Sequence, residues 1–232
     1  MEFAIFATVC MIMVGAFLFV RCTKGAGPLA LALKSIASII FVFAGIYATY
    51  KIGLSLANMF IVFGLILALF GDIVLDLKVA YPEQVKPYLN TGMISFSCSS
   101  AMYIVATILI WNGLKNFVLA CVGSFAIALL FAIVVLLLAK PLKLDFKGYK
   151  VQTVVYSILV AMAGILSLFI SFYVPGFAIF AVGVLLVLVS DLVLSLMYFG
   201  GKQDSKVLCI INHILYYIGE LMVVAYLFFQ LG

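Results

Sequence analysis

Charged residues are scarce in this sequence, and their scarcity excludes a water-soluble domain. Only 9% of the 232 residues are charged, whereas 68% are hydrophobic, and the mean hydropathy is +1.40. Soluble globular domains have about a quarter of their residues charged. The composition therefore predicts an integral membrane protein in which nearly the whole chain lies in the bilayer.

Histidine and paired cysteines are also nearly absent. His213 is the one histidine, which excludes a metal centre built from several histidines. The five cysteines are an odd number without a Cys-x-x-Cys pair, so neither a disulfide framework nor a thiolate metal site is predicted. A mixed site of Asp72, Asp191, Glu220 and His213 stays open, but no short ligand-spacing motif supports it. We expect no metal and no cofactor.

Long polar segments are lacking too, so the chain has no room for a soluble domain. A membrane-spanning helix needs roughly 20 predominantly apolar residues. Eight apolar segments of this kind are present, at 3–20, 28–50, 53–77, 90–111, 115–139, 151–172, 176–199 and 207–230. The sequence predicts an all-α membrane protein with eight transmembrane helices in a single domain, residues 1–232.

The first segment lacks the basic region that precedes a secretory signal, because only Met1 and Glu2 come before it. It is predicted to be a retained helix. Cytoplasmic loops of membrane proteins carry an excess of Lys and Arg. The connections after the even-numbered segments carry only Lys51 and Lys115. Those after the odd-numbered segments carry Arg21, Lys24, Lys78, Lys86, Lys140, Lys143, Lys147, Lys150, Lys202 and Lys206.

This asymmetry predicts that both termini lie outside. The helical spans predict a bacterial inner membrane. The +5 net charge follows from the same flanking residues. A nucleic-acid partner is therefore not predicted, and membrane lipids are the expected surroundings.

One motif of the sequence places a carboxylate inside an apolar segment and then recurs. Asp72 lies in the stretch LFGDIVLDL, and Asp191 lies 119 positions later in LVSDLVLSL. Ionisable residues within transmembrane segments usually face the interior of the bundle and mark a functional site. Because the two segments are four spans apart, they cross in the same direction. The recurrence predicts a parallel internal repeat of two four-helix halves.

Other polar residues are expected at a similar depth, in one pocket open toward the cytoplasmic leaflet. Asp76 lies one helical turn after Asp72, on the same face. Lys34 either snorkels to the headgroups or pairs with a phosphate or carboxylate at the entrance of the site. The remaining candidates are Asn90, Tyr103, Ser190, Asn212, His213, Tyr217 and Glu220.

Two aspartates in a low-dielectric pocket rarely both ionise, which leaves a protonated acid beside an ionised carboxylate. Acid-catalysed hydrolysis requires this division, because one group donates a proton while the other orients water. The same acids also suit proton transfer in a transporter, or a structural role in which helix 8 caps each aspartate. The residues alone leave these three classes open. A Ser190–Asp191 nucleophile pair is disfavoured, because adjacent side chains diverge by about 100° on a helix.

The two aspartate motifs resemble the signature motifs of the YhhN family, the lysoplasmalogenases. They are Gly71-Asp72-x-x-Leu75 and Ser190-Asp191-x-x-Leu194. The Gly92-x3-Phe96-x6-Tyr103 spacing, the Tyr216-Tyr217 pair and the eight-span layout are similar as well.

The resemblance implies hydrolysis of the vinyl-ether bond of a lysophospholipid, the lysoplasmalogen. The products would be a fatty aldehyde and glycerophosphoethanolamine or glycerophosphocholine. Asp72 and Asp191 would be catalytic, one as the acid and one stabilising the cation and positioning water. The headgroup would lie near Lys34, and the site would lie in the cytoplasmic half. A lipid- or proton-coupled transporter on the same scaffold is the alternative.

Two residues depart from the family pattern. Ser100 stands where the family usually has a histidine, and Glu220 stands where it has a glutamine. These departures bear on the substrate more than on the fold.

Overall fold

The computed structural model describes residues 1–80, 82–111, 115–146 and 148–230, without the side chains of residues 78–80 and 82. Lys147 and the side chain of Lys78, both used above to orient the chain, therefore lie outside the described part. Eight long helices make up the fold, and each is apolar enough to cross a membrane. They are α1 (Glu2–Lys24), α2 (Pro28–Ile52), α3 (Leu56–Ala80), α4 (Val85–Trp111), α5 (Phe117–Ala139), α6 (Lys150–Ser171), α7 (Ala178–Tyr198) and α8 (Lys206–Phe229).

The predicted eight-helix class is confirmed, and most predicted ends lie within a few residues of the observed ones. The largest difference is at α4, which begins at Val85, whereas the apolar run was expected to begin at residue 90. Pro87 lies in the first turn, where its missing N–H would have no partner in the helix in any case. Polarity and proline therefore did not prevent helix formation there.

Helix neighbours recur in the two halves of the chain. In the first half α1 packs on α2, α2 on α3 and α3 on α4; in the second half α5 packs on α6, α6 on α7 and α7 on α8. Across the halves α4 packs on α6, and α8 packs correspondingly on α2. This is the arrangement expected of a parallel repeat related by an axis along the membrane normal.

Close-packed glycines recur with the same offset of 119 positions as the aspartates. Gly64 of α3 lies against the ring of Tyr103 in α4. Gly183 of α7 lies against α8, where an added Cβ would be 3.1 Å from Cβ of Met222. Gly64 and Gly183 are thus 119 positions apart, and so are the residues that they contact, Tyr103 and Met222. Small residues at these positions let the helix backbones approach closely, as is common between transmembrane helices.

Helix α8 is the most buried of the eight spans, and α1 and α5 are the least buried. Most polar side chains of α8 therefore point into the bundle. The ends of α1, α3, α5 and α7 lie on one side of the bundle, which we call the basic end because most of the Lys and Arg residues follow these helices.

Candidate functional site

Asp72 is enclosed by hydrogen-bond donors from two helices, α2 and α8. Its Oδ1 lies 3.3 Å from Nζ of Lys34 in α2. Its Oδ2 accepts hydrogen bonds from Ser38 Oγ in α2 at 2.7 Å and from the Tyr216 hydroxyl in α8 at 2.9 Å. The residue is only 3% exposed. A carboxylate that receives donors on both oxygens, one of them a cation, is well suited to remain ionised inside the protein.

Lys34 is a buried ion-pair partner and does not reach the membrane surface. It is 5% exposed, and its Nζ also lies 3.4 Å from Oδ1 of Asp76. Of the two expectations for Lys34, pairing with a carboxylate is observed and snorkelling is not. Both carboxylates lie within ion-pair distance of the lysine.

Asp191 has a different environment from its counterpart in the repeat. Its Oδ2 accepts a short hydrogen bond from the hydroxyl of Tyr156 in α6. Among the described residues no lysine or arginine pairs with it. The structural alternative had helix 8 capping each aspartate. Among the described residues, a side chain of α8 donates to Asp72, and the donor to Asp191 comes from α6. The neighbours of Asp191 include the apolar side chains of Leu188 and Leu192.

A small polar cavity of about 20 Å³ lies between the two aspartates. A cavity of roughly 10–15 Å³ is enough to hold one water molecule when polar partners are present. The walls include Asp72 and Asp191 together with Lys34, Ser190, Asn212, His213 and Tyr216. The structure thus brings both predicted aspartates to one water-sized space.

Two larger cavities adjoin this central cavity, and all three share Leu194 and Tyr198 as walls. One is apolar, with a volume of about 70 Å³, and Leu75, Phe96 and Asp191 separate it from the central cavity. The other, of about 510 Å³, lies at the basic end and meets the central cavity at His213. The central cavity therefore adjoins an apolar cavity and a basic cavity.

Asn212, His213 and Tyr217 have defined partners around the aspartates. Asn212 Nδ2 donates to the backbone oxygen of Ser190 at 2.8 Å and so ties α8 to α7 beside Asp191. His213 Nδ1 donates to the Cys209 carbonyl at 2.7 Å, which leaves Nε2 as the nitrogen without a proton in the neutral ring. The Tyr217 hydroxyl lies 2.9 Å from Ser38 Oγ and 3.1 Å from the Lys34 carbonyl, and it supports Ser38 from behind.

Three predicted site residues do not line the cavities at the aspartates. The Tyr103 hydroxyl donates to Glu220 Oε2 at 2.8 Å, and this pair lines none of the three cavities. Asn90 accepts a hydrogen bond from Gln152 at 3.2 Å and likewise lines none of them. Residues at the same depth in the membrane can face different sides of a helix. Depth alone therefore did not predict which side chains line the cavities.

Sequence reasoning did not assign Ser38, Tyr156, Tyr198 and Tyr216 to the site. Ser38 lies one turn after Lys34, and that spacing was an available signal. Tyr156 and Tyr216 were visible as polar residues of α6 and α8, but their pairing with particular aspartates depends on helix rotation. Tyr198 ends α7 and gave no signal beyond its aromatic ring.

No group of three or more His, Cys, Asp or Glu residues in the described ranges is arranged to hold a metal ion. The mixed ligand set that the sequence left open is therefore not assembled there. Carboxylates and hydroxyl groups are the reactive side-chain groups that the aspartates and tyrosines bring to this site.

The eight helices and the buried polar site between them define a multi-pass integral membrane protein. The sequence matches the YhhN family over residues 29–227, which is most of the chain. The protein belongs to the YhhN family. No curated protein and no solved structure matches the chain.

Proposed function

We propose that the protein is a membrane-embedded hydrolase that cleaves the vinyl-ether bond of lysoplasmalogen by acid catalysis. The observation that carries the proposal is the junction of the three cavities, where Asp72 and Asp191 border one water-sized space. Membership of the YhhN family supports the same chemistry. We further propose that the protein lies in a bacterial inner membrane with both termini outside, so that the basic end faces the cytoplasm.

The different surroundings of the aspartates support different roles. Lys34, Ser38 and Tyr216 all donate toward Asp72. We assign Asp72 to the ionised state, in which it stabilises a positively charged intermediate. Preorganised charge of this kind is often the largest single contribution to catalysis, because it needs no rearrangement during the reaction.

Asp191 is assigned the role of the general acid. It lies at the border of the apolar cavity and has a tyrosine hydroxyl, not a lysine, as its partner. Burial of a carboxyl group without a cationic partner favours its neutral form, which can donate a proton. Tyr156 would hold the carboxyl group in one orientation.

The reaction begins when Asp191 transfers its proton to the β-carbon of the vinyl ether. The α-carbon and the ether oxygen then share the positive charge of an oxocarbenium ion, which Asp72 stabilises. Water adds to the α-carbon, its proton returns to Asp191, and a hemiacetal results. Collapse of the hemiacetal breaks the bond between the α-carbon and the ether oxygen, and the proton of the hemiacetal hydroxyl passes to the departing oxygen. It releases the fatty aldehyde and the glycerophospho-headgroup alcohol.

The direct test is aldehyde release from lysoplasmenylethanolamine by purified protein in detergent. We expect release by the wild type and none by Asp72→Asn or Asp191→Asn. Glu2→Gln is the matched control, because Glu2 lies in an exposed ion pair with Lys51. Thermal unfolding of every variant establishes that inactive proteins are folded.

Release that persists in both folded aspartate variants would overturn the assigned roles. A folded wild type without any product would contradict hydrolysis and favour the alternative, a lipid- or proton-coupled transporter. Purified protein without a membrane gradient separates these two classes, since a transporter forms no product.

A further inference from the structure

The cavity at the basic end has no assigned role in the vinyl-ether chemistry. At about 510 Å³ it is far larger than the central cavity that it adjoins. Its walls come from the C-terminal end of α1, the connection that follows it, the end of α7 and the beginning of α8. It is therefore wide enough for a polar group considerably larger than water.

Positive charge dominates this cavity. Arg21, Lys24 and Lys206 line it, and Ser205 begins α8 at its wall. The two acidic residues of the wall are Asp76, which pairs with Lys34, and Asp204, which is exposed. Three basic side chains and the start of α8 converge on one space, and both features favour an anion.

The position of the cavity restricts the kind of anion. It meets the central cavity at His213, and the apolar cavity meets the central one at Leu75, Phe96 and Asp191. In a lysophospholipid a three-carbon glycerol unit separates the phosphate from the sn-1 ether oxygen. A ligand with its ether at the aspartates would therefore direct its phosphate toward Arg21 and its chain toward Phe96.

We propose that Arg21, Lys24 and Lys206 form the phosphate-binding subsite for the headgroup of the lipid. This inference rests on the proposed function and relocates the headgroup contact that the sequence placed at Lys34. Arg21 is the central contact, since a guanidinium group can hold two phosphate oxygens at once. Asp204 in the same wall provides a carboxylate for the ammonium of an ethanolamine or choline headgroup.

The test measures binding of an uncleavable ligand, a 1-O-alkyl lysophospholipid with a saturated ether, to the full-length protein in detergent. A 1-O-alkylglycerol of the same chain length, which lacks the phosphate, is the paired ligand. Arg21→Gln and Lys206→Gln are expected to weaken lysophospholipid binding about tenfold or more and to leave alkylglycerol binding unchanged. Lys202→Gln is the matched control, because Lys202 is exposed nearby and does not line the cavity.

Inorganic phosphate and glycerophosphoethanolamine distinguish a lipid headgroup from a free phosphate ligand. If the variants lose phosphate binding but bind the lysophospholipid as the wild type does, the headgroup assignment is wrong. The headgroup assignment is also wrong if Arg21→Gln, Lys206→Gln and the double variant each bind the lysophospholipid and the alkylglycerol as tightly as the wild type does. Lys206 is exposed at the beginning of a helix, so its substitution tests the proposal even if Arg21→Gln does not fold.

Because the ligand is not cleaved, this result is independent of the aldehyde assay. A phosphate-dependent loss of binding without aldehyde release would support the subsite and contradict the hydrolase. With an active enzyme, Arg21→Gln is expected to raise KM about tenfold while kcat changes little, since the phosphate contact is the same in the ground and transition states.

Asp204 gives a second readout of the same subsite. Asp204→Asn is expected to weaken binding of the ethanolamine lysophospholipid severalfold and to leave the corresponding phosphomonoester, which has no ammonium group, unaffected. An equal loss for both ligands would contradict the assigned ammonium contact.

Discussion

Lys34 and Thr153 occupy equivalent positions in the two halves of the chain, 119 residues apart, but only Lys34 carries a charge. Lys34 pairs with Asp72, whereas the hydroxyl of Thr153 is buried and has no hydrogen-bond partner in the part of the chain that the structure describes. Thr153 lines the apolar cavity beside Asp191. Because the two halves differ at this position, Asp72 has a cationic partner, whereas Asp191 has none among the described residues. We regard this asymmetry as the origin of the two roles proposed for the aspartates.

Removal of the charge at Lys34 is expected to destabilise the protein strongly. In Lys34→Met the buried carboxylate of Asp72 loses its cation, and breaking a buried ion pair typically costs about 3–5 kcal/mol. Thermal or denaturant unfolding in detergent measures the effect. Combining Lys34→Met with Asp72→Asn is expected to restore part of the loss.

Lys51→Met is the matched control for this prediction. Lys51 pairs with Glu2 at 3.8 Å, and both side chains are about half exposed. Exposed ion pairs contribute little to stability, so little change is expected. Equal stability of both methionine variants would contradict the buried ion pair.

Thr153→Val tests whether the unpartnered hydroxyl serves the substrate. Because that hydroxyl makes no hydrogen bond within the protein, its replacement by a methyl group should not lower the unfolding temperature. Aldehyde release is expected to show a raised KM, since Thr153 lines the cavity assigned to the lipid chain and ether.

Thr107→Val provides the comparison for Thr153. The Thr107 hydroxyl donates to the Tyr103 carbonyl at 2.7 Å and lies 3.1 Å from Ser167 Oγ, so its loss should cost about 1 kcal/mol. A Thr153→Val protein with wild-type KM would exclude a substrate contact of this hydroxyl.

Gly183→Ala is expected to destabilise the contact between α7 and α8. The added Cβ would lie 2.7 Å from the Gly219 carbonyl oxygen and 3.0 Å from the Val223 nitrogen, both backbone atoms of α8. The helices would have to separate, at a cost of about 1–3 kcal/mol for overpacking. The midpoint of thermal unfolding in detergent measures this change.

Gly123→Ala in α5 is the corresponding control, because nothing lies within 4 Å of its added Cβ. There alanine should be neutral or stabilising by up to about 1 kcal/mol, as in a helix interior. A larger destabilisation at Gly123 than at Gly183 would be inconsistent with the observed packing.

Glu220→Gln is expected to preserve both stability and activity. The glutamine carbonyl still accepts the Tyr103 hydroxyl, and Glu220 lines neither the central nor the apolar cavity. Glu220→Leu leaves that hydroxyl buried without an acceptor and should cost about 1–3 kcal/mol. Loss of aldehyde release by a folded Glu220→Gln protein would place Glu220 in the chemistry.

The sequence by itself determined the membrane class, the eight helices and the importance of the two aspartate segments. These properties depend on local hydropathy and on charges within apolar segments, so no tertiary information was needed. The offset of 119 positions also predicted the parallel arrangement that the recurring helix neighbours display.

The tertiary structure alone decided which polar side chains meet. It assigned Lys34 to Asp72 and Tyr156 to Asp191. It left Tyr103, Glu220 and Asn90 outside the three cavities. Each assignment depends on the rotation of one helix against another, which is fixed by contacts such as Gly183 against Gly219. A sequence specifies the depth of a side chain through position in its helix, but the direction that it faces is set by packing between helices.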